Sequence, residues 1–293
     1  MSFYNALIGA GLLPRDVIAD GKWHRCPTTD KPKKKNGAFL LTIDGRRGWF
    51  KNYATDLDFN VWQEDRPLTE AEKRKFAKQA ADIERMEREK RITAMKAMRA
   101  HWLTLPPLRG GHPYLEAKGL SLQGCEGLRL DSDKLVIPMM RGGYLQSLQT
   151  ITPAGEKKYR AGCPVTGATF EIKRPAATLT CFAEGFATGL AIFQCVTDAR
   201  VVVCFDAGNL VRVAEAAKPQ GLTVVCADND WHGSTNTGVD KGQKAADLMR
   251  CGLSYPKDIE GTDFADALRE WGNSARVRIE VMRNAKFVFQ EAV

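Results

Sequence analysis

The chain has 293 residues, 44% hydrophobic and 27% charged, with a net charge of +8; that is enough for about two domains and too apolar for wholesale disorder. No apolar run reaches the ~18 residues of a membrane span, and the opening MSFYNALIGAGLLPRD lacks the basic and cleavable features of a secretory signal. Eight cysteines occur with no Cys-x-x-Cys pair, so they read as reduced thiols of a cytoplasmic protein, not as a disulfide frame or zinc knot.

Charge is uneven. Residues 1–175 hold 31 Lys and Arg against 20 Asp and Glu, whereas residues 176–293 hold 12 against 15. A basic front suits a polyanion and an acidic back suits cations. The first sixty residues are punctuated by Asp20-Gly21, Asn36-Gly37 and Asp44-Gly45 around the apolar runs 38–43 and 48–50. Such hairpin signals predict a small β-rich unit. Lys33, Lys34, Lys35, Arg46, Arg47 and Lys51 lie among Trp23, Phe39, Trp49, Phe50 and Tyr53. That mixture suits single-stranded DNA, through phosphate contacts and base stacking, and equally suits a small aromatic core with its lysines outside.

Thr69-Glu70-Ala71-Glu72 is a capping box and predicts a helix running to about Arg99, ~45 Å at 1.5 Å per residue. Its apolar stripe of Phe76, Ala80, Ile83, Met86, Ile92 and Met95 is thin, the pattern of a solvated connector. Beyond 103, β-like runs return at 134–138, 143–148 and 168–172. Then come apolar runs at 178–183, 200–205 and 223–227, with helical segments at 188–194, 210–218 and 239–249. This alternation predicts a parallel sheet with flanking helices, which gathers ligands at the carboxyl ends of its strands. The acidic residues sit there: Glu184-Gly185 follows the first run and Asp228-Asn229-Asp230 the third. Neighbouring strands lie ~4.8 Å apart, so these carboxylates can converge on Mg²⁺ or Mn²⁺ if Asn229 turns away.

Strand-Glu-Gly followed by strand-Asp-x-Asp resembles the TOPRIM domain of primases, topoisomerases and some nucleases. Gly185-Phe186-Ala187-Thr188-Gly189-Leu190, Phe205-Asp206-Ala207-Gly208-Asn209-Leu210 and Gly261-Thr262-Asp263-Phe264-Ala265-Asp266 narrow the resemblance to plasmid and phage primases of the DnaG-like superfamily. Upstream, the stretch Pro113–Leu120, then Leu135-Val136-Ile137-Pro138, then Lys157-Lys158-Tyr159-Arg160 resembles the basic subdomain of those primases.

The resemblance implies an α/β TOPRIM domain at 176–258, preceded by a basic mixed subdomain at 104–175. Before these it implies a helical connector at 67–103 and a β-rich unit at 1–66 similar to a primase zinc ribbon; a C-terminal extension, 259–293, carries a late acidic motif. It implies catalysis by Glu184, Asp228 and Asp230, with Asp263 and Asp266 joining them as metal ligands and Glu184 serving either as ligand or as proton acceptor. Arg141, Lys157, Lys158 and Arg160 would contact nucleotide and template. No zinc is expected, because the first unit offers only His24 and Cys26 where a structural site needs four ligands. Thr188 stands where the family often has an Asp, so the metal set is leaner.

The implied enzyme is a DNA-directed RNA polymerase of primase type, a nucleotidyltransferase using Mg²⁺ or Mn²⁺, nucleoside triphosphates and a single-stranded DNA template. A replicative helicase or a plasmid or phage replication protein would be its partner. A TOPRIM nuclease and a non-catalytic single-strand-binding accessory factor are the rival readings. No P-loop is present, which excludes a fused helicase motor. His232, two residues past Asp230, reads as a loop histidine.

Overall fold

A computed structural model describes the chain except residues 57, 65–68, 234 and 290–293. The side chains of Phe76 and Ala80, part of the predicted stripe, also lie outside the described residues. The chain forms two compact units, Met1–Glu89 and Lys90–Val293.

The first unit opens with helix α1 (Phe3–Gly9), whose first turn is capped by Ser2 Oγ accepting the Asn5 N–H at 3.2 Å. Strands β1 (His24–Cys26), β2 (Gly37–Leu41), β3 (Arg47–Asn52) and β4 (Asn60–Gln63) follow as an antiparallel sheet in chain order. Of the glycine-marked turns expected from sequence, Asp44-Gly45 closes the β2–β3 hairpin, whereas Gly21 precedes β1 and Gly37 opens β2 after a longer connection. Sequence pattern gave no sign of α1, which is too short to show a helical period; its Phe3 and Leu7 pack on Phe39, Leu41 and Phe50 to form the core. Period-two alternation leaves Arg47, Trp49 and Lys51 on the opposite face of β3.

Helix α2 (Glu70–Thr104) starts at the capping box and runs five residues past Arg99. Met86 and Ile92 are exposed, as a solvated connector requires. The last turns behave differently, because Met98 is fully buried with Leu105, Val136, Leu148 and Cys163.

In the second unit, helix α3 (Pro113–Glu116) precedes an antiparallel meander of β5 (Arg129–Asp131), β6 (Lys134–Arg141), β7 (Tyr144–Ile151) and β8 (Lys157–Tyr159). A six-stranded sheet follows. It contains β9 (Phe170–Ile172), β10 (Leu179–Ala183), β11 (Ala199–Val203), β12 (Gly221–Cys226), β13 (Gly252–Ser254) and β14 (Lys286–Val288). The path is β13-β12-β10-β11-β9, with β14 paired to β12. Strands β10 to β13 are parallel, while β9 and β14 run antiparallel to their partners.

Helices α5 (Ala207–Ala216) and α6 (Thr237–Met249) cover one face over Phe182, Leu210, Val225 and Ala246. Helices α4 (Phe186–Cys195), α7 (Phe264–Trp271) and α8 (Ser274–Met282) cover the other, over Cys181, Leu190, Phe264 and Val277. Residues 259–289 thus add α7, α8 and β14 to this same layered body. Among the described residues, no helix is long and apolar enough to cross a membrane. Phe264 is wholly buried between α7 and the sheet. Phe264→Ala is expected to cost about 3–5 kcal/mol, through lost transfer energy plus a cavity, read as a lower urea midpoint of the full chain.

Candidate active site at the carboxyl edge of the parallel sheet

The register sets the geometry. Ala183 of β10 lies opposite both Val203 of β11 and Cys226 of β12, so three strand ends finish level. One residue on is Glu184, buried with only 7% of its surface exposed. Two residues past β12 is Asp228, and the chain then turns through Asn229 to Asp230. Asn229 does turn away: its N–H donates to Thr262 O (2.7 Å) and its Nδ2 to Pro256 O (2.8 Å). Asp230 Oδ2 accepts the Gly238 N–H at 2.9 Å. Gly238 has no alternative, since a Cβ there would collide with the Asp228 carbonyl.

The third strand end carries Asp206, which sequence reading left out of the site. Its Oδ1 caps α5 by accepting the Asn209 N–H (2.7 Å), and its Oδ2 accepts the Tyr159 hydroxyl (3.2 Å). Tyr159 also reaches the carbonyl of Phe205 (3.0 Å), a residue held at φ 76°. That left-handed backbone costs about 1–3 kcal/mol in a bulky residue. Only an acidic residue in a small-residue turn marked the spot in sequence; its coupling to Glu184 is tertiary.

Electrostatically the edge is overloaded with negative charge. Burial, then Asp230, Asp206 and Asp263, push Glu184 up to about 7. Burial and the charges of Glu184 and Asp263 push Asp228 well above the carboxylate range. Lys157 acts in the opposite sense, lowering Asp228. Lys157 comes from β8, and its Nζ would lie 4.0 Å from a Cβ added at Gly185. Alternation along β8 puts Lys157 and Tyr159 on the side of the carboxylates and turns Lys158 away, where it pairs with Glu156 at 2.9 Å.

The other expected residues are dispersed. Arg160 lines a separate cleft with His101 and Asp131. Arg141 lies over Gly167 and reaches Thr166 O at 3.4 Å. Asp263 Oδ1 caps α7 through the Ala265 and Asp266 N–H groups. Asp266 is engaged by Lys118 (3.6 Å), Arg269 (3.2 Å) and the Thr262 N–H (3.3 Å). His232 Nε2 meets Glu260 O at 2.8 Å, a loop role.

In the first unit, Lys33, Lys34 and Lys35 are exposed in a turn. Arg46 is not available to a ligand: it is buried and its Nε pairs with Glu64 at 3.1 Å. His24 stacks on Phe39 and meets Asp20 at 2.9 Å, while Cys26 sits in the core.

Residues 180–274 match the Toprim domain family. This segment is a TOPRIM domain. Among curated proteins no sequence relative matches. The chain is similar to a chain in a structure of bacteriophage T7 lagging-strand DNA polymerase interacting with primase domains of two gp4 subunits (16% identity, TM-score 0.43, 61% of this chain and 93% of that one). The primase fragment of the T7 primase-helicase (13%, 0.42, 60% and 78%) is comparable. So is the RNA polymerase domain of Mycobacterium tuberculosis DnaG (20%, 0.34, 58% and 61%).

The TOPRIM carboxylates suit a hard divalent cation by chemistry: the donors are all oxygen. Glu184 Oε1 and Asp228 Oδ1 are buried with no hydrogen-bond partner, a costly state that a cation relieves. Among the described residues, no group of three or more His, Cys, Asp or Glu is placed to hold a metal ion by itself. Of the five carboxylates expected as metal ligands, Asp263 caps α7 and Asp266 is engaged by Lys118 and Arg269.

Because Glu184 is raised from 4.5 to about 7 on folding, the native state binds the extra proton. Stability is therefore greatest at or below about pH 4.5 with respect to this group and falls as pH rises through about 7. In chelator, melting of the full chain is expected to show that fall, and Glu184→Gln to flatten it, making the variant the more stable protein at pH 8. Parallel pH profiles would disprove the coupling.

Proposed function

We propose that this protein is a DNA primase that joins ribonucleotides on a single-stranded template. The observation carrying the reading is Lys157: a cation from the meander sheet brought to the carboxylates of the TOPRIM edge. A site built for nucleotidyl transfer needs both elements, since acids hold cations and a nearby lysine neutralises phosphate.

Asp228 and Asp230, with the partnerless oxygens of Asp228 and Glu184, would hold Mg²⁺ or Mn²⁺. When bound, the ion neutralises the triphosphate and lowers the pKa of the attacking hydroxyl. The 3′-hydroxyl attacks the α-phosphate, the P–O bond to pyrophosphate breaks, and the hydroxyl proton leaves to a base. Glu184, poised near neutrality, either accepts that proton or completes the ligand set. Lys157 offsets charge on the transferring phosphate, and Tyr159 holds Asp206 and Phe205 in place so that the third strand end keeps its shape. Asp263 adds its charge at longer range.

The first unit would bind the template. Its outer surface sets cations over rings: Arg25 over Tyr53 (4.5 Å), Arg47 over Trp49 (4.9 Å) and Lys51 over Phe59 (5.6 Å). Trp23, Tyr53 and Phe59 are exposed. Exposed rings interleaved with cations offer stacking and phosphate contacts without base readout.

The test is incubation with unprimed circular single-stranded DNA, labelled ribonucleotides and Mg²⁺ or Mn²⁺. Short labelled oligoribonucleotides are expected, with a drop of at least about 10³-fold for Asp228→Ala/Asp230→Ala and of about 10²–10³-fold for Lys157→Ala, the scale of lost charge stabilisation. Shortened template would overturn the reading in favour of a nuclease. Intact template without product would favour an accessory binding factor.

A further inference from the structure

A cleft of about 400 Å³ runs between α5 and α6, beginning at Asp206, which is the residue that couples this side of the domain to Glu184. Most of its charged and amide lining is already spent. Asp206 spends both oxygens on Asn209 N–H and the Tyr159 hydroxyl. Asn209 accepts from the Gly167 N–H and donates to Ala168 O and Cys204 O. Glu215 pairs through both oxygens with Arg212 Nη1 at 3.1 and 3.0 Å. The Thr166 carbonyl on the facing wall is taken by Gln146 and Arg141. What remains is cationic: Lys241 and Lys244, one turn apart on α6, have no ion-pair partner among the described residues and line the cleft. The carboxylates are satisfied and the ammonium groups are not, so the unspent chemistry of this cleft is anion binding.

We propose that this cleft is a phosphate site that takes the polyphosphate of a nucleoside triphosphate; it rests on the nucleotidyl-transfer reading of the adjoining carboxylates. A nucleic-acid backbone has the same phosphate chemistry but needs an extended basic track. Residues 176–293 carry 12 Lys and Arg against 15 Asp and Glu, and α6 itself exposes Asp240 and Asp247 beside the two lysines. A long polyanion would meet repulsion on leaving the cleft. A short one, with its charge concentrated at one end, meets Lys241, Lys244 and Arg212 beside two carboxylates, Asp206 and Glu215, that are already hydrogen-bonded. The position beside Asp206 lets such a tail extend from a nucleotide whose reacting phosphate sits at the strand ends.

The experiment is calorimetric titration of the full chain, with Mg²⁺, using AMP, ADP and ATP, with single-stranded DNA as a separate arm. Lys241→Gln/Lys244→Gln and Lys241→Arg/Lys244→Arg are compared with the wild type. Both lysines are exposed, so the fold survives the change, and circular dichroism checks this. Affinity is expected to rise from AMP to ATP in the wild type. The Gln pair should lose that rise, binding ATP tenfold or more weakly with AMP and DNA unchanged, and the Arg pair should keep it. Unchanged ATP affinity in the Gln pair, or no ATP binding by the wild type, overturns the proposal. So does a selective loss of DNA affinity with a salt slope reduced by about two, which would assign the lysines to a backbone. If the wild type makes no primers and the Gln pair still weakens ATP, the cleft stands and the primase reading falls; primers with unchanged ATP affinity mean the reverse.

Discussion

Repulsion among carboxylates at a single sheet edge is the constraint around which the second unit is organised. Burial and the charges of Asp230, Asp206 and Asp263 raise the proton affinity of Glu184, burial and the charges of Glu184 and Asp263 raise that of Asp228, and one oxygen of each is buried without a donor. A fold selected for stability alone would not collect these charges at one edge with Glu184 buried among them. The rest of the edge limits the cost. Asp206, Asp230 and Asp263 each spend an oxygen on a backbone N–H at a helix start, where the helix dipole favours negative charge. Glu184 and Asp228 have no such cap. These two keep the partnerless oxygens.

The sheet and its glycines make the crowding possible. Level strand ends follow from the register of β10 with both neighbours. Close approach of α6 follows from Gly238 against the Asp228 carbonyl and from Gly242 against Ala227. The loop 260–262 is fixed in turn, because the N–H groups of Glu260 and Gly261 donate to Glu270 at 2.7 and 2.8 Å. Its Thr262 carbonyl then holds Asn229 out of the site. Each carboxylate is therefore aimed by backbone geometry on a rigid element, and not by a flexible side-chain network.

The meander sheet is tied to this edge by two residues of one strand. Lys157 supplies charge and Tyr159 supplies hydrogen bonds to Phe205 and Asp206. A basic sheet and an acidic sheet become one site because alternate residues of β8 point the same way. Lys158, between them, is equally basic and faces elsewhere.

Sequence by itself determined the order of strands and helices from 178 to 249, the capping-box start of α2, and the placement of Glu184 and the Asp228–Asp230 pair just past apolar strands. Those features are local: a period of two or 3.6, a cap, a turn dipeptide. It also determined that Asn229 had to turn away for both aspartates to serve. Tertiary structure decided what depends on contact between distant segments. It drew Asp206 into the site, chose Lys157 over Lys158, buried Arg46 against Glu64, and tied Asp266 to Lys118 and Arg269. It also built α1 from two buried side chains and folded 259–289 into the TOPRIM layer. A run of basic or acidic residues reads alike whichever way each side chain points; only packing, by assigning a face to every position, separates the charges that meet from those that do not.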